Sequence, residues 1–257
     1  MIDPTILQTA ADFPFEEGRL IIHQPKCVEI GEVMGEKNFY HILTFLCIEK
    51  SMIFNNNHKD LDKNLLDQLE DFDILISMVN QKDEKLTTIK ENLSKFFMLL
   101  FPNYQLNITE QGFVFINPAD NLMGYITKDN FISFRDILKE MFCMNGTQDD
   151  KPIYDPEGSM ARRMADKFMK ARQKVAKMKG EDDEHSSILG RYISVLSVGE
   201  QKDKNMLSKY TVYQLYDEFT RFQLKEAYDI DLTIRLNPFS SGSGNSEIED
   251  WRKEIHF

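Results

Sequence analysis

Residues 86–116 read LTTIKENLSKFFMLLFPNYQLNITEQGFVFI, and within this stretch the apolar period changes from that of a helix to that of a strand. Leu86, Ile89, Leu93, Phe96, Phe97 and Leu100 recur at three- and four-residue steps, one face of an amphipathic helix, and Pro102 closes it. Beyond the proline, Leu106 and Ile108 and then Phe113 to Ile116 flank Thr109-Glu110-Gln111-Gly112, a short glycine-ended connection of the kind that joins two antiparallel strands. Met123 to Ile126 adds a third strand. A helix running straight into a hairpin predicts an α+β fold, mainly helical, with a small antiparallel sheet.

On the N-terminal side the helical texture continues. Phe39, Ile42, Leu43, Phe45, Leu46 and Ile48 predict a buried helix from Asn38 to about Phe54, and Leu61, Leu65, Leu66, Leu69, Phe72, Leu75, Ile76 and Val79 predict another behind Asp60. Residues 1–35 mix short apolar runs with Pro14, Pro25, Gly18, Gly31 and Gly35, and read as an extended arm or short strands. On the C-terminal side, Phe131 to Asp136 opens a helix for which Ser133 is the expected N-cap, with Ile137, Leu138, Met141 and Phe142 on its inner face. Ser186 to Val198 reads as a short helix despite Gly190. Thr211 caps a longer one that carries Val212, Leu215, Tyr216, Phe219 and Phe222. Past Leu224 the sequence allows two readings: the alternation of Ile230, Leu232, Ile234 and Leu236 suits a strand, and the whole run from Tyr210 equally suits one continuous helix.

The 257 residues carry 31 Lys plus Arg against 42 Asp plus Glu, a formal charge of -11 on a chain that is 42% hydrophobic. That much apolar material argues against wholesale disorder, and no run approaches the length of a membrane span. Acidic residues near the N-terminus, in place of a basic flank and an apolar run, argue against a signal peptide. Cys27, Cys47 and Cys143, without paired spacing, suit reduced thiols. The charge is unevenly spread: residues 1–150 hold 13 basic and 24 acidic side chains, and residues 151–257 hold 18 of each. From Met160 to Lys179 eight cations, among them Arg162, Arg163, Lys167 and Lys170, alternate with Met, Phe and Ala, and Glu181-Asp182-Asp183-Glu184 follows at once. Three regions result: an acidic helical module over 1–145 with its hairpin near 103–127; a connector, basic helix and acidic linker over 146–185; and an aromatic helical region with a tail over 186–257.

The sequence contains no convergent catalytic motif. Asp229-x-Asp231 lacks a third metal ligand, the acidic linker lacks an EF-hand pattern, the five His are scattered, and Ser241-Gly242-Ser243-Gly244 has no preceding strand to make a phosphate cradle. No enzyme activity, cofactor or metal is therefore expected. The basic helix could neutralise phosphates, but its interleaved apolar residues and the net -11 favour an acidic protein partner or the chain's own acidic half over nucleic acid, and a solvated helix face is the plainest reading of all. Tyr213, Tyr216, Phe219 and Phe222, together with Trp251 and Phe257 in the tail, are the residue types that concentrate at protein interfaces. The candidate partner-binding set is these six plus Arg162, Arg163, Lys167 and Lys170.

DNFISFRDILKEMF at 129–142, SSILGRYISVLSVGE at 186–200, YTVYQLYDEFTRFQLKEAYDIDLTIRL at 210–236 and the ending IEDWRKEIHF resemble, in that order, tailed-bacteriophage proteins encoded among tail genes, similar to the baseplate and tail-assembly proteins of large contractile-tailed phages. The chain departs from that pattern at Leu236 to Ser243, where LNPFSSGS replaces a small-residue helical stretch. The resemblance implies a non-catalytic phage protein, made in the host bacterial cytoplasm and acting in tail or baseplate assembly or within the virion tail. Its implied partners are other tail or baseplate proteins, with self-association as an alternative. A nucleic-acid-binding or regulatory protein using the basic helix is the competing reading.

Overall fold

A computed structural model of the chain describes residues 2–49, 70–80, 84–119, 121–144 and 187–236. The fold is α+β and mainly helical, with one two-stranded and one three-stranded antiparallel sheet. Two compact units are present, one made of Met1–Asn145 with Ser208–Gln214, the other of Gly146–Leu207 with Leu215–Phe257.

In the first unit, α1 (Pro4–Thr9) starts where Asp3 accepts a hydrogen bond from the Thr5 amide at 2.8 Å and Pro4 occupies the first helical position. A hairpin of β1 (Phe13–Phe15) and β2 (Leu20–Ile22) follows, with Phe13, Phe15, Leu20 and Ile22 buried and Pro14 and Ile21 facing out. Its connection bends through positive φ at Glu16 (52°), Glu17 (54°) and Gly18 (85°), with the Gly18 amide donating to the Phe15 carbonyl. Then come α2 (Cys27–Val33) and α3 (Glu36–Cys47). Of the two readings for residues 1–35, an extended arm or short strands, the strands are present as this hairpin, and helices α1 and α2 flank it where no helix was expected. Asp3-Pro4 is a legitimate helix start, but six residues are too few to display a period.

Helix α4 (Asp71–Asn80) buries the expected Phe72, Leu75, Ile76 and Val79, and α5 (Glu84–Leu100) the expected Leu93, Phe96, Phe97 and Leu100, while Asp60, Leu61, Leu65, Leu66 and Leu69 lie outside the described residues. The three-stranded sheet runs in the order β3 (Gln105–Thr109), β4 (Gly112–Ile116), β5 (Met123–Thr127), with Phe113 opposite both Ile108 and Ile126. Its inner face sends Phe113 and Phe115 onto Phe97 of α5, ring centroids 4.9 and 5.2 Å apart, and Phe101 stands 4.5 Å from Phe115. All four rings are buried, and offset aromatic contacts of this kind add about 0.5–1.5 kcal/mol per pair beyond area burial. Helix α6 (Lys128–Met141) begins directly where β5 ends, closing the layer with Phe131 and Phe134. Its N-cap is Thr127: the Thr127 amide donates to Asn130 Oδ1 at 2.8 Å, and Asn130 Nδ2 donates back to the Tyr125 carbonyl at 2.8 Å. Ser133, the expected cap, lies one turn inside the helix.

Ser208–Gln214 joins this unit by pairing with the start of α2. The Cys27 amide donates to the Tyr210 carbonyl and the Val28 amide to the Ser208 carbonyl, both at 2.9 Å, and Lys26 and Thr211 form an isolated antiparallel bridge.

In the second unit, α7 (Ile188–Gly199) is capped by Ser187 Oγ, which accepts from the Gly190 amide at 2.8 Å. A single turn, α8 (Lys204–Leu207), follows. The longest helix among the described residues is α9 (Val212–Leu236), and the division between the units falls inside it, after Gln214. Residues 230–236, for which a strand was one reading, are its last two turns. No glycine or proline interrupts 212–236, so a helix once nucleated propagates through the seven-residue alternation at its end.

Candidate functional site

The start of α9 is fixed in the first unit by a reciprocal cap. Thr211 Oγ1 accepts from the Gln214 amide at 3.2 Å, Gln214 Oε1 accepts from the Thr211 amide at 3.0 Å, and Gln214 Nε2 donates to the Gln8 carbonyl at 2.6 Å. Val212 and Tyr213 are buried beside it. Tyr213 is therefore a packing residue of the first unit, 8% exposed.

Tyr216, Phe219 and Phe222 lie on the part of α9 that belongs to the second unit, each half-buried. Tyr192 of α7 stacks on Phe219, centroids 3.9 Å apart and planes within 10°, and meets Tyr216 edge-on at 5.1 Å. Phe222 fits against Gly199 so closely that a Cβ there would overlap its ring. Lys202 bridges Glu200 (2.7 Å) and Glu218. Burial alone would lower the pKa of this ammonium, but its bonds to Glu200 and Glu218 outweigh that and hold it above the usual lysine range. The structure thus brings three of the expected aromatic residues together as the inner seam between α7 and α9. Arg162, Arg163, Lys167, Lys170, Trp251 and Phe257 lie outside the described residues.

The opposite side of α7 is a surface that the sequence reading missed. Leu189 and Leu196 are buried, whereas Ile188 (36%), Val195 (38%) and Val198 (81%) are exposed, with Arg191 between them. The steps 188, 191, 195 and 198 are three, four and three residues, so these side chains line one stripe. That spacing was visible in the sequence. What hid it is that α7 is apolar on both sides, and periodicity cannot say which side a neighbour covers.

In the first unit several ionisable groups are paired with one another. Arg135, 8% exposed, pairs with Asp71 at 2.6 Å, and His23 lies between Asp12 (2.9 Å) and Glu29 (3.3 Å). A groove of about 460 Å³ between α4 and the β3–β4 turn contains Lys128, whose ammonium is held by Asp73 at 2.9 Å and Glu70 at 3.3 Å. Burial pushes the Cys27 thiol up to about 12, with the charge of Glu36 adding to it. Burial likewise raises Cys47 to about 11 against the opposing pull of Lys139 and Arg135. Neither thiol is a thiolate at neutral pH. Among the described residues no group of three or more His, Cys, Asp or Glu side chains is placed to hold a metal ion, and no helix is long and apolar enough to cross a membrane.

Helices α7 and α9 share the aromatic seam, and α7 leaves an apolar stripe exposed, so residues 188–236 define a helical module. Residues 181–256, which contain all of α7 and α8 and all of α9, match the family model described as the YomV second domain, a phage-associated family. No curated protein and no solved structure matches the chain.

Proposed function

We propose that this chain acts through protein–protein contacts as a structural or assembly component of a phage tail or baseplate, and that it catalyses no reaction. The observation that carries the reading is the exposed stripe of Ile188, Val195 and Val198, which lies within the segment similar to a phage-associated domain. Three apolar side chains aligned on one helix suit the docking of a partner helix, with Arg191 selecting an acid on the partner. The aromatic seam beneath keeps α7 rigid, so little order has to be gained on binding. In this reading the basic residues Arg162, Arg163, Lys167 and Lys170 and the tail residues Trp251 and Phe257, which flank the stripe in sequence, contribute to the same contact, and the partners are other tail or baseplate proteins.

The test is the double variant Val195→Asp/Val198→Asp in the full chain. Both side chains are exposed, so the melting temperature should stay within a few degrees of the parent, while co-purification with tail and baseplate proteins from infected cells should be lost. Retained co-purification would overturn the proposal. So would salt-sensitive binding to generic DNA that disappears on charge reversal at Arg162, Arg163, Lys167 and Lys170.

A further inference from the structure

Strand β3 is an open edge. The Tyr125 amide of β5 points away from β4, because it donates to Glu16 Oε2 at 2.7 Å. Tyr125 is paired with Val114, so the Val114 amide must face β3, and Asn107, its partner there, faces β4 in return. Leu106 and Ile108 therefore direct their amides and carbonyls outward, and among the described residues none of these four groups has a hydrogen-bond partner.

Protein edges of this kind are normally protected by a charge, a proline, a bulge or a covering element. Gln105-Leu106-Asn107-Ile108-Thr109 has no charge and no proline, and its register with β4 is one-to-one over five pairs, which leaves no bulge. The side chains agree with the backbone. Leu106 and Ile108 sit on the inner face of the sheet, opposite the fully buried Phe115 and Phe113, yet are themselves only half-buried. Among the described residues the apolar layer runs out to the edge and no further element covers it.

We infer that the β3 edge accepts an extended segment of another protein as a fourth strand, with alternating apolar residues lying over Leu106 and Ile108 and lysine or arginine at the intervening positions. Hydrogen bonds to the Leu106 and Ile108 backbone set the register. Apolar side chains are called for by the half-buried inner face. The basic preference follows from charge: residues 1–150 hold 24 acids against 13 bases, and Glu110 is exposed at the end of the strand. A second copy of the chain is the poorer occupant, because it brings the same excess of acids.

The probe is a seven-residue peptide of alternating lysine and valine with blocked ends, added to the full chain and followed by amide hydrogen exchange. Exchange at Leu106 and Ile108 should slow at least tenfold while Asn107, already bonded to β4, changes little. A peptide of equal charge with proline in place of valine should have no such effect, and neither should the alternating glutamate–valine peptide. Ile108→Pro removes an outward donor that β4 does not use and should weaken binding at least tenfold. Asn107→Gln leaves every outward group in place, adds no charge to the edge and serves as the folded control, with binding retained. The inference fails if Leu106 and Ile108 are unprotected at millimolar peptide, if the proline peptide protects them equally, or if protection grows with protein concentration alone, which would assign the edge to a second copy.

Discussion

The two edges of the three-stranded sheet are strands of equal length, five residues each, finished in opposite ways. Along β5 the Tyr125 amide is held by Glu16, and Leu20 of β2 packs so tightly on Gly124 that a Cβ there would overlap it. Along β3 the outward groups of Leu106 and Ile108 have no hydrogen-bond partner among the described residues. Closure of the β5 edge depends on a turn in which two consecutive glutamates adopt positive φ, a conformation that bulky L-residues rarely occupy and that costs on the order of 1–3 kcal/mol at each. The structure tolerates that cost because the turn aims Glu16 at an amide that would otherwise stand half-buried without an acceptor. The difference teaches that edge protection in this unit is selective, and that the unprotected edge lies where the inner apolar layer is left incomplete.

The severest way to break the comparison is Gly124→Ala. The added methyl group meets Leu20, which is fully buried and cannot retreat, so a loss of about 3 kcal/mol is expected, at the upper end of the range for overpacked cores, read as a fall in the denaturation midpoint. Glu16→Ala should cost about 1–2 kcal/mol, since it strips the Tyr125 amide of its acceptor, and should raise the exchange rate of that amide toward those of Leu106 and Ile108. An unchanged Tyr125 rate in this variant would mean that β5 is protected by packing on β2 alone. Asn107→Lys should move stability by no more than about 0.5 kcal/mol, because the side chain is exposed on the outer face and the edge it borders carries no contact to lose.

Much of this arrangement could be read in the sequence. Leu93, Phe96, Phe97 and Leu100 set the face of α5, and Thr109 to Gly112 set the hairpin register, because in both places a period ends at a recognisable breaker. The cap of α6 was misplaced for the converse reason: β5 passes into helix at Thr127 without glycine or proline, and the capping partner is Asn130 where glutamate or glutamine is the usual signal. The features that distinguish the two edges were illegible. Glu16 and Tyr125 are 109 residues apart, and nothing in the local pattern around either announces the other. The exposed stripe on α7 was hidden similarly, since exposure belongs to the neighbours a residue lacks.

The pairing of Ser208–Gln214 with the start of α2 sets an order of events during synthesis. The amides of Cys27 and Val28 find their acceptors at Tyr210 and Ser208, so the first unit is not finished when its main body has been translated. Residues 146–207 must leave the ribosome first, which at about 5–20 residues per second is a wait of several seconds. Through that interval the nascent unit holds its phenylalanine core with an unfilled place beside α2, and the last segment to arrive is also the one that launches α9 into the second unit.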